Sequence, residues 1–461
     1  MITDDRQGLT YKRSILETIG NTPLIELARV ARGVRPLVLA KVERTNPGGS
    51  VKDRIGERII DRAEREGLLR PGGTIVEATS GNTGCGLAMV ASVRGYSAVF
   101  TIPDKMSQEK VNLLKAYGAE VHVAPTNVAP DHPDSYYSVA RRLAEERPGG
   151  FLANQYYNPA NPESHYLTTG PEIWEQTGGQ VDVFVAGIGT GGTISGVGKY
   201  LKEKNPAIQI VGADPVGSIL SHYFRTGKMT EARPYKTEGV GEDIIPGTLD
   251  FSVIDRIESV PDAESLNMAR RISREEGILV GGSCGLAAVV ALRVAEELDE
   301  RRLIVVLLPD TGERYLSKLY SDDWMRDNHL LDTQQVRVRD VLSGKSADVA
   351  QLVMVNENAA VEEALRLIRQ HNISQVPVQR LGKLVGCIEE GAIMARVLEE
   401  PRVLGRPVGE VMGDPLPVIR AEHSADEVIR LLASRNAVVI EDDGNPVGIL
   451  TRFDMIEYVA T

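Results

Sequence analysis

A lysine attacks an aldehyde only when its amine is neutral, and cationic surroundings lower its pKa toward that state. Lys52, in Asn46-Pro-Gly-Gly-Ser-Val-Lys52-Asp-Arg, opens a helix beside backbone N–H groups and the positive dipole end. The same setting suits a solvated surface lysine, so the segment alone leaves both readings open. A second segment, Glu77-Ala-Thr-Ser-Gly-Asn-Thr-Gly-Cys-Gly, sets hydroxyl and amide side chains on a glycine turn before an apolar helix. It suits a bound carboxylate, and equally an ordinary helix cap. A third, Ala186-Gly-Ile-Gly-Thr-Gly-Gly-Thr-Ile-Ser-Gly, lets backbone approach a phosphate at Gly189, Gly191 and Gly192. Thr190 and Thr193 add hydroxyl donors there. Gly187, Gly189 and Gly192 formally fit a dinucleotide fingerprint, but residue 212 is a glycine and Asp214 precedes a proline. No acidic strand end is left to hold a ribose, so a single phosphate is the preferred reading.

These segments need a scaffold that brings strand-to-helix junctions together. From Pro36 to about Pro309, short apolar runs alternate with helical patterns. The runs include Leu37-Val-Leu-Ala, Thr74-Ile-Val, Ala98-Val-Phe-Thr-Ile, Val181-Asp-Val-Phe-Val-Ala, Ile208-Gln-Ile-Val and Leu303-Ile-Val-Val-Leu-Leu. Continuous runs of this kind suit strands buried on both faces, with right-handed crossovers and mostly parallel sheets. The expected class is α/β.

In order and wording the three segments resemble the fold-type II pyridoxal-phosphate family, over roughly residues 10–325. The resemblance implies two three-layer α/β subdomains and a bound pyridoxal 5'-phosphate. Gly20-Asn-Thr-Pro-Leu and Leu308-Pro-Asp-Thr-Gly-Glu-Arg-Tyr-Leu-Ser point to its cysteine synthase and cystathionine β-synthase branch. It implies that Lys52 is the Schiff-base lysine, that Asn82 bonds the ring hydroxyl, and that Gly189, Thr190, Gly191, Gly192 and Thr193 hold the phosphate. Thr79, Ser80, Asn82, Thr83 and Gln155 would bind the substrate carboxylate. Ser283, in Gly281-Gly-Ser-Cys-Gly, would face the pyridine nitrogen. An aspartate there would protonate the nitrogen and make a strong electron sink. A hydroxyl makes a weaker one, which discourages transamination and suits β-elimination followed by thiolate addition. Lys52, once released by the substrate, is the natural base for the α-proton and acid for the leaving group.

Two features separate cystathionine synthesis from its nearest rival, O-acetylserine sulfhydrylase. One is the acidic pair in Glu238-Gly-Val-Gly-Glu-Asp-Ile-Ile-Pro, where cysteine synthases usually carry small residues. The other lies beyond a polar linker at 326–337. Val361, Ala364, Leu365 and Ile368 repeat as Ala425, Val428, Ile429 and Leu432, each set followed by a hairpin-like segment. This resembles tandem CBS domains, expected at 338–398 and 404–461. Threonine dehydratases usually set their lysine in Ser-Phe-Lys, unlike Gly-Ser-Val-Lys here. Gly448-Ile-Leu-Thr451-Arg-Phe-Asp454 matches a ribose-binding pattern of such domains, while Gly386-Cys-Ile-Glu389-Glu-Gly-Ala392 does not. One site for S-adenosylmethionine or an adenine nucleotide is therefore expected, with helix capping as the alternative role of Thr451 and Asp454. A catalytically idle ligand sensor is the reading from another class, and the intact Lys52, Asn82 and Ser283 oppose it.

Composition bounds the rest. The 461 residues suggest two or three domains, and a net charge of −12 without basic runs argues against nucleic acid. No stretch approaches the roughly 18 apolar residues of a membrane span. Three scattered cysteines, Cys85, Cys284 and Cys387, fit a reducing cytoplasm better than a disulfide framework. No histidine pair has metal-ligand spacing, and no metal is expected. About twenty residues precede Asn21-Thr-Pro, without Cys or His or an apolar leader, so neither haem nor a secretory signal is expected. Serine and homocysteine are the expected substrates, in a homodimer or homotetramer.

Overall fold

The computed structural model describes residues 10–79, 81–125, 127–129, 131–331, 337–343, 352–442 and 444–460; Ser80 and linker residues 332–336 lie outside these. The chain divides into two units, Met1–Leu331 and Asp332–Thr461. In the first, a helix spans Asp322–Asp327, and Leu330 is buried in the core.

Among the described residues of this unit are ten strands: β1 Leu24–Glu26, β2 Leu37–Val42, β3 Thr74–Ala78, β4 Ser97–Pro103, β5 Glu120–Ala124, β6 Gly150–Leu152, β7 Val183–Gly187, β8 Gln209–Pro215, β9 Arg256–Val260 and β10 Leu303–Leu308. They form a six-stranded sheet, β1-β2-β10-β7-β8-β9, and a four-stranded sheet, β5-β4-β3-β6. Every pairing is parallel except β1 with β2. The period of two along a strand explains the continuous apolar runs. Val183 and Val185 enter a core shared with the helix Gly282–Glu296, while Phe184 and Ala186 enter another shared with the helix Gly192–Lys204. In β3, Ile75 and Val76 likewise face opposite cores.

The helices Lys52–Arg65 and Asn82–Arg94 pack on one face of the smaller sheet and cross with their backbones in contact. A Cβ on Gly56 would lie 2.7 Å from the Gly86 carbonyl carbon, and one on Gly86 would lie 2.7 Å from the Lys52 carbonyl oxygen. No side chain fits at that crossing, which fixes the start of one helix against the other. Below it sits a buried charge cluster. Arg54 bonds Glu43 through Nε (2.8 Å) and Glu172 through Nη1 (2.6 Å), and Lys41 Nζ donates to Glu172 (2.7 Å) and the Thr22 carbonyl (2.7 Å). The cluster ties β2 and the helix Thr169–Gln176 to the helix that begins at Lys52.

The second unit holds two similar halves. In one, β11 Val355–Asn356, β12 Gln375–Arg380 and β13 Lys383–Glu389 pack with the helix Val361–His371. In the other, β14 Val418–Arg420, β15 Ala437–Asp442 and β16 Asn445–Thr451 accompany the helix Ala425–Leu432. Both hairpins shift register at equivalent places, Val378/Gln379 and Ile440/Glu441, so the repeat extends to a bulge. Among the described residues no helix is long and apolar enough to cross a membrane.

Candidate active site

The segments singled out from sequence follow the carboxyl ends of parallel strands: β2 before Lys52, β3 before Thr79, β6 before Gln155 and β7 before Gly189. Such ends open onto a common crevice in α/β sheets. A cavity of about 720 Å³ lies there, lined by Lys52, Asn82, Thr83, Gln155, Thr190 and Ser283 among others. Lys52 and Thr190 also wall a smaller cavity of about 20 Å³, closed by Gly189, Gly191 and Thr193.

Lys52 begins its helix because the preceding turn is pinned: Val51 N donates to the Pro309 carbonyl at 2.8 Å, and Gly48 N to Asp53 Oδ2 at 2.7 Å. Burial pulls the Lys52 amine below its ordinary value, against the opposing fields of Asp310, Glu242 and Glu43. Among the described residues Nζ has no hydrogen-bond or ion-pair partner, and it opens onto the cavity. Desolvation without a counter-charge favours the neutral, nucleophilic amine.

The second segment divides its labour. Thr79 Oγ1 accepts from Gly81 N (3.0 Å) and Gly84 N (3.2 Å), so this hydroxyl caps its own turn and lines neither cavity. Thr83 Oγ1 donates to Gln155 Oε1 at 2.6 Å, and Gln155 Nε2 donates to the Ala78 carbonyl at 3.2 Å. Asn82 Nδ2 donates to Asp310 Oδ2 at 2.8 Å, while its carbonyl accepts from Arg314. The same Asp310 oxygen accepts from Tyr315 Oη at 2.5 Å.

At the third segment, Gly191 (φ +80°) precedes a helix of 13 residues that starts at Gly192. A Cβ on Gly192 would lie 1.9 Å from Asn161 Oδ1, so the turn excludes every larger residue. Asn161 Nδ2 bonds Thr190 Oγ1 at 3.0 Å, and Thr193 Oγ1 lies 3.2 Å from His165 Nε2. Asp214 is turned inward, accepting from Ser221 N at 2.9 Å, which removes the last acidic residue a dinucleotide ribose would need. Ser283 is buried at the start of its helix, and no hydrogen bond engages its hydroxyl among the described residues.

Pyridoxal phosphate fits this set. An unpartnered, desolvated amine suits its aldehyde, a glycine turn with two hydroxyls at a helix N-terminus suits its phosphate, and a neutral hydroxyl suits its ring nitrogen. Among the described residues no group of three or more His, Cys, Asp or Glu could hold a metal ion.

Sequence reasoning missed Asp310 and Arg314, which clasp Asn82 although more than two hundred residues away in the chain. It also missed a wall of tyrosines: Tyr136 and Tyr137 at the start of the helix Tyr136–Glu146, with Tyr156 and Tyr235 from two further segments. The motif Leu308-Pro-Asp-Thr-Gly-Glu-Arg-Tyr carried a signal for the first pair. Nothing local marks the tyrosines.

The fold and site define a class, and the comparisons agree with it. The family described as pyridoxal-phosphate dependent enzyme matches residues 15–310, and the CBS domain family matches 339–399 and 408–461. The chain belongs to the cystathionine β-synthase family of pyridoxal-phosphate-dependent enzymes. It is 38% identical to cystathionine β-synthase of Oryctolagus cuniculus, over 97% of this chain and 85% of that protein. Identity to the Saccharomyces cerevisiae cystathionine β-synthase is 35% over the full length of both. The crystal structure of an O-acetylserine dependent cystathionine β-synthase from Helicobacter pylori superposes with a TM-score of 0.62 at 37% identity, covering 67% of this chain and 99% of that one.

Thr451 and Asp454 sit at the start of the helix Arg452–Ala460. Asp454 Oδ2 accepts from Thr451 N (2.6 Å) and Oγ1 (2.7 Å), the geometry of a helix cap.

Proposed function

We propose that the chain catalyses β-replacement, joining L-serine or an activated serine to L-homocysteine and releasing water or the activating group to give cystathionine. One observation carries this reading: an unpaired, desolvated Lys52 opens onto a cavity of about 720 Å³ that also holds the Ser283 hydroxyl and the acidic pair Glu242 and Asp243. Pyridoxal phosphate, when bound, stabilises negative charge at Cα of an amino acid joined to it.

The chain's own residues do the rest. Lys52 anchors the cofactor aldehyde; once displaced by substrate, its amine takes the α-proton and returns a proton to the leaving oxygen. Asn82, held by Asp310 and Arg314, presents its amide to the ring hydroxyl. Gly189, Thr190, Gly191, Gly192 and Thr193 hold the phosphate, and Ser283 bonds the ring nitrogen. Asn82, Thr83 and Gln155, together with Ser80, take the substrate carboxylate, and Thr79 supports them by capping the turn. Neither haem nor metal enters this scheme. Three free, buried cysteines support a cytoplasmic enzyme. The catalytic domain, 1–325, and the CBS domains, 338–398 and 404–461, act in a homodimer or homotetramer. The second CBS domain takes S-adenosylmethionine or an adenine nucleotide at Thr451 and Asp454.

Product identity is the test. Purified protein is offered serine with homocysteine, and separately O-acetylserine with sulfide. Cystathionine as the faster-formed product supports the reading; cysteine formed faster replaces it with O-acetylserine sulfhydrylase. Lys52→Ala protein should lose the yellow cofactor band and turnover together, and a variant retaining both defeats the lysine assignment.

A further inference from the structure

The loop Glu238–Pro246 carries two buried or half-buried carboxyls that meet opposite fates. Glu238 is held between Lys110 Nζ (2.6 Å) and Lys318 Nζ (2.6 Å), and these cations keep it below the ordinary carboxylate range. Glu242, four residues on, lines the same cavity, yet no ion pair engages it among the described residues. Its neighbours are acidic or phenolic: Asp243, the inward-turned Asp214 behind it, and Tyr156. Asp214 is itself fully buried with Oδ1 unpartnered. Two lysines act on Glu242 through their fields without pairing with it: Lys52 across the cavity, and Lys105, which is exposed at the rim and accepts from Lys318 Nζ through its carbonyl. Burial and Asp243 push the Glu242 carboxyl up to about 8. A carboxyl set beside like charges in a cavity, without an ion pair, is an arrangement that a bound cation relieves.

We infer that Glu242 is the specificity-determining residue for the second substrate, pairing with the ammonium group of an amino-acid thiol in the outer part of the cavity. This rests on the β-replacement reading above and goes further by naming the recognised group. Only the incoming thiol is left to supply that cation, because the first substrate's nitrogen is engaged at the Lys52 end. The loop itself is built to hold Glu242 still: Glu242 N donates to Ser218 Oγ (3.1 Å), and Ile219 N donates to the Glu242 carbonyl (3.1 Å). Inorganic sulfide, or a thiol without an amine, gains nothing from such a group.

The experiment compares kcat/KM for homocysteine with that for 4-mercaptobutanoate, the same thiol lacking its amine, in the holoenzyme with serine. Wild type should prefer homocysteine, and Glu242→Gln should cut the ratio about 10- to 100-fold, the range for a charge-assisted hydrogen bond. Glu242→Asp, which keeps the charge, should retain part of it. A wild-type enzyme that uses both thiols equally overturns the inference without any variant, as does a Glu242→Gln enzyme with an unchanged ratio. A wild type that makes only cysteine from sulfide fails the cystathionine reading as well, whereas cystathionine formed with an unchanged ratio fails this inference alone.

Discussion

Glu77 lies at the end of β3, almost fully buried beneath the turn that carries Gln155. Its Oε1 accepts from Gln155 N at 3.3 Å, and Oε2 is buried with no partner. Asn154, next to that turn, holds φ +53°, a conformation rare outside glycine that the surroundings must sustain. Burial pushes the Glu77 carboxyl up to about 8. In the unfolded chain the same group ionises near 4.5. Between these values the folded protein keeps a proton that the unfolded chain releases, so stability falls as pH rises. Each pH unit in that window removes about 1.4 kcal/mol, with an upper limit of about 5 kcal/mol by pH 8. Glu77→Gln preserves the shape and the acceptor while removing the ionisation. At pH 5 the variant and wild type should unfold within about 1 kcal/mol of each other. At pH 8.5 the variant should be more stable by about 2–4 kcal/mol, or several degrees of Tm in a domain this large. Thermal unfolding of the holoenzyme, followed by near-ultraviolet dichroism at matched ionic strength, reads the difference. Parallel pH profiles for the two proteins would refute the reasoning, because they would mean that Glu77 is already ionised when folded.

Ser283→Ala should slow the first half-reaction about 5- to 100-fold, the worth of one hydrogen bond to a buried group, as read from cofactor absorbance on mixing with serine. Ser283→Asp should open side reactions such as transamination, detectable as hydroxypyruvate and the aminated cofactor. Arg54→Met should destabilise the catalytic unit by about 3–5 kcal/mol, because it strands the fully buried Glu43 without its ion-pair partner and leaves Glu172 only Lys41; chemical unfolding midpoints measure this. Asp454→Ala should cost about 1 kcal/mol as a lost helix cap and should abolish calorimetric binding of S-adenosylmethionine, ATP and AMP to the full chain. Binding that survives the change would leave Asp454 with the cap alone.

The features legible in sequence are those whose physics is local. A glycine turn between an apolar run and a helix is written in consecutive residues, so the three site segments and the strands β2, β3, β4, β7, β8 and β10 could be read directly. β5 was not, because this edge strand, Glu-Val-His-Val-Ala, is buried only at Ala124 and carries no continuous apolar run. The stretch after Trp324 looks polar, yet Leu330 reaches back into the core, and a single buried side chain leaves no periodic trace.

What the sequence could not disclose is which of two chemically identical groups is satisfied. Glu238 and Glu242 are read alike, as acidic residues flanking Gly-Val-Gly. Folding brings Lys110 and Lys318 to the first from 128 and 80 positions away, and brings no ion-pair partner to the second among the described residues. Thr451 and Asp454 pose the reverse problem, since one spacing serves both a ribose and a helix cap. There the folded chain makes the cap bonds itself. A ligand at that site must therefore displace or share bonds that already exist, whereas a cation at Glu242 fills a deficit. That difference makes recognition at Glu242 sensitive to the charge of the incoming group. At Asp454 the net gain on binding is only what a ribose offers beyond an intact cap.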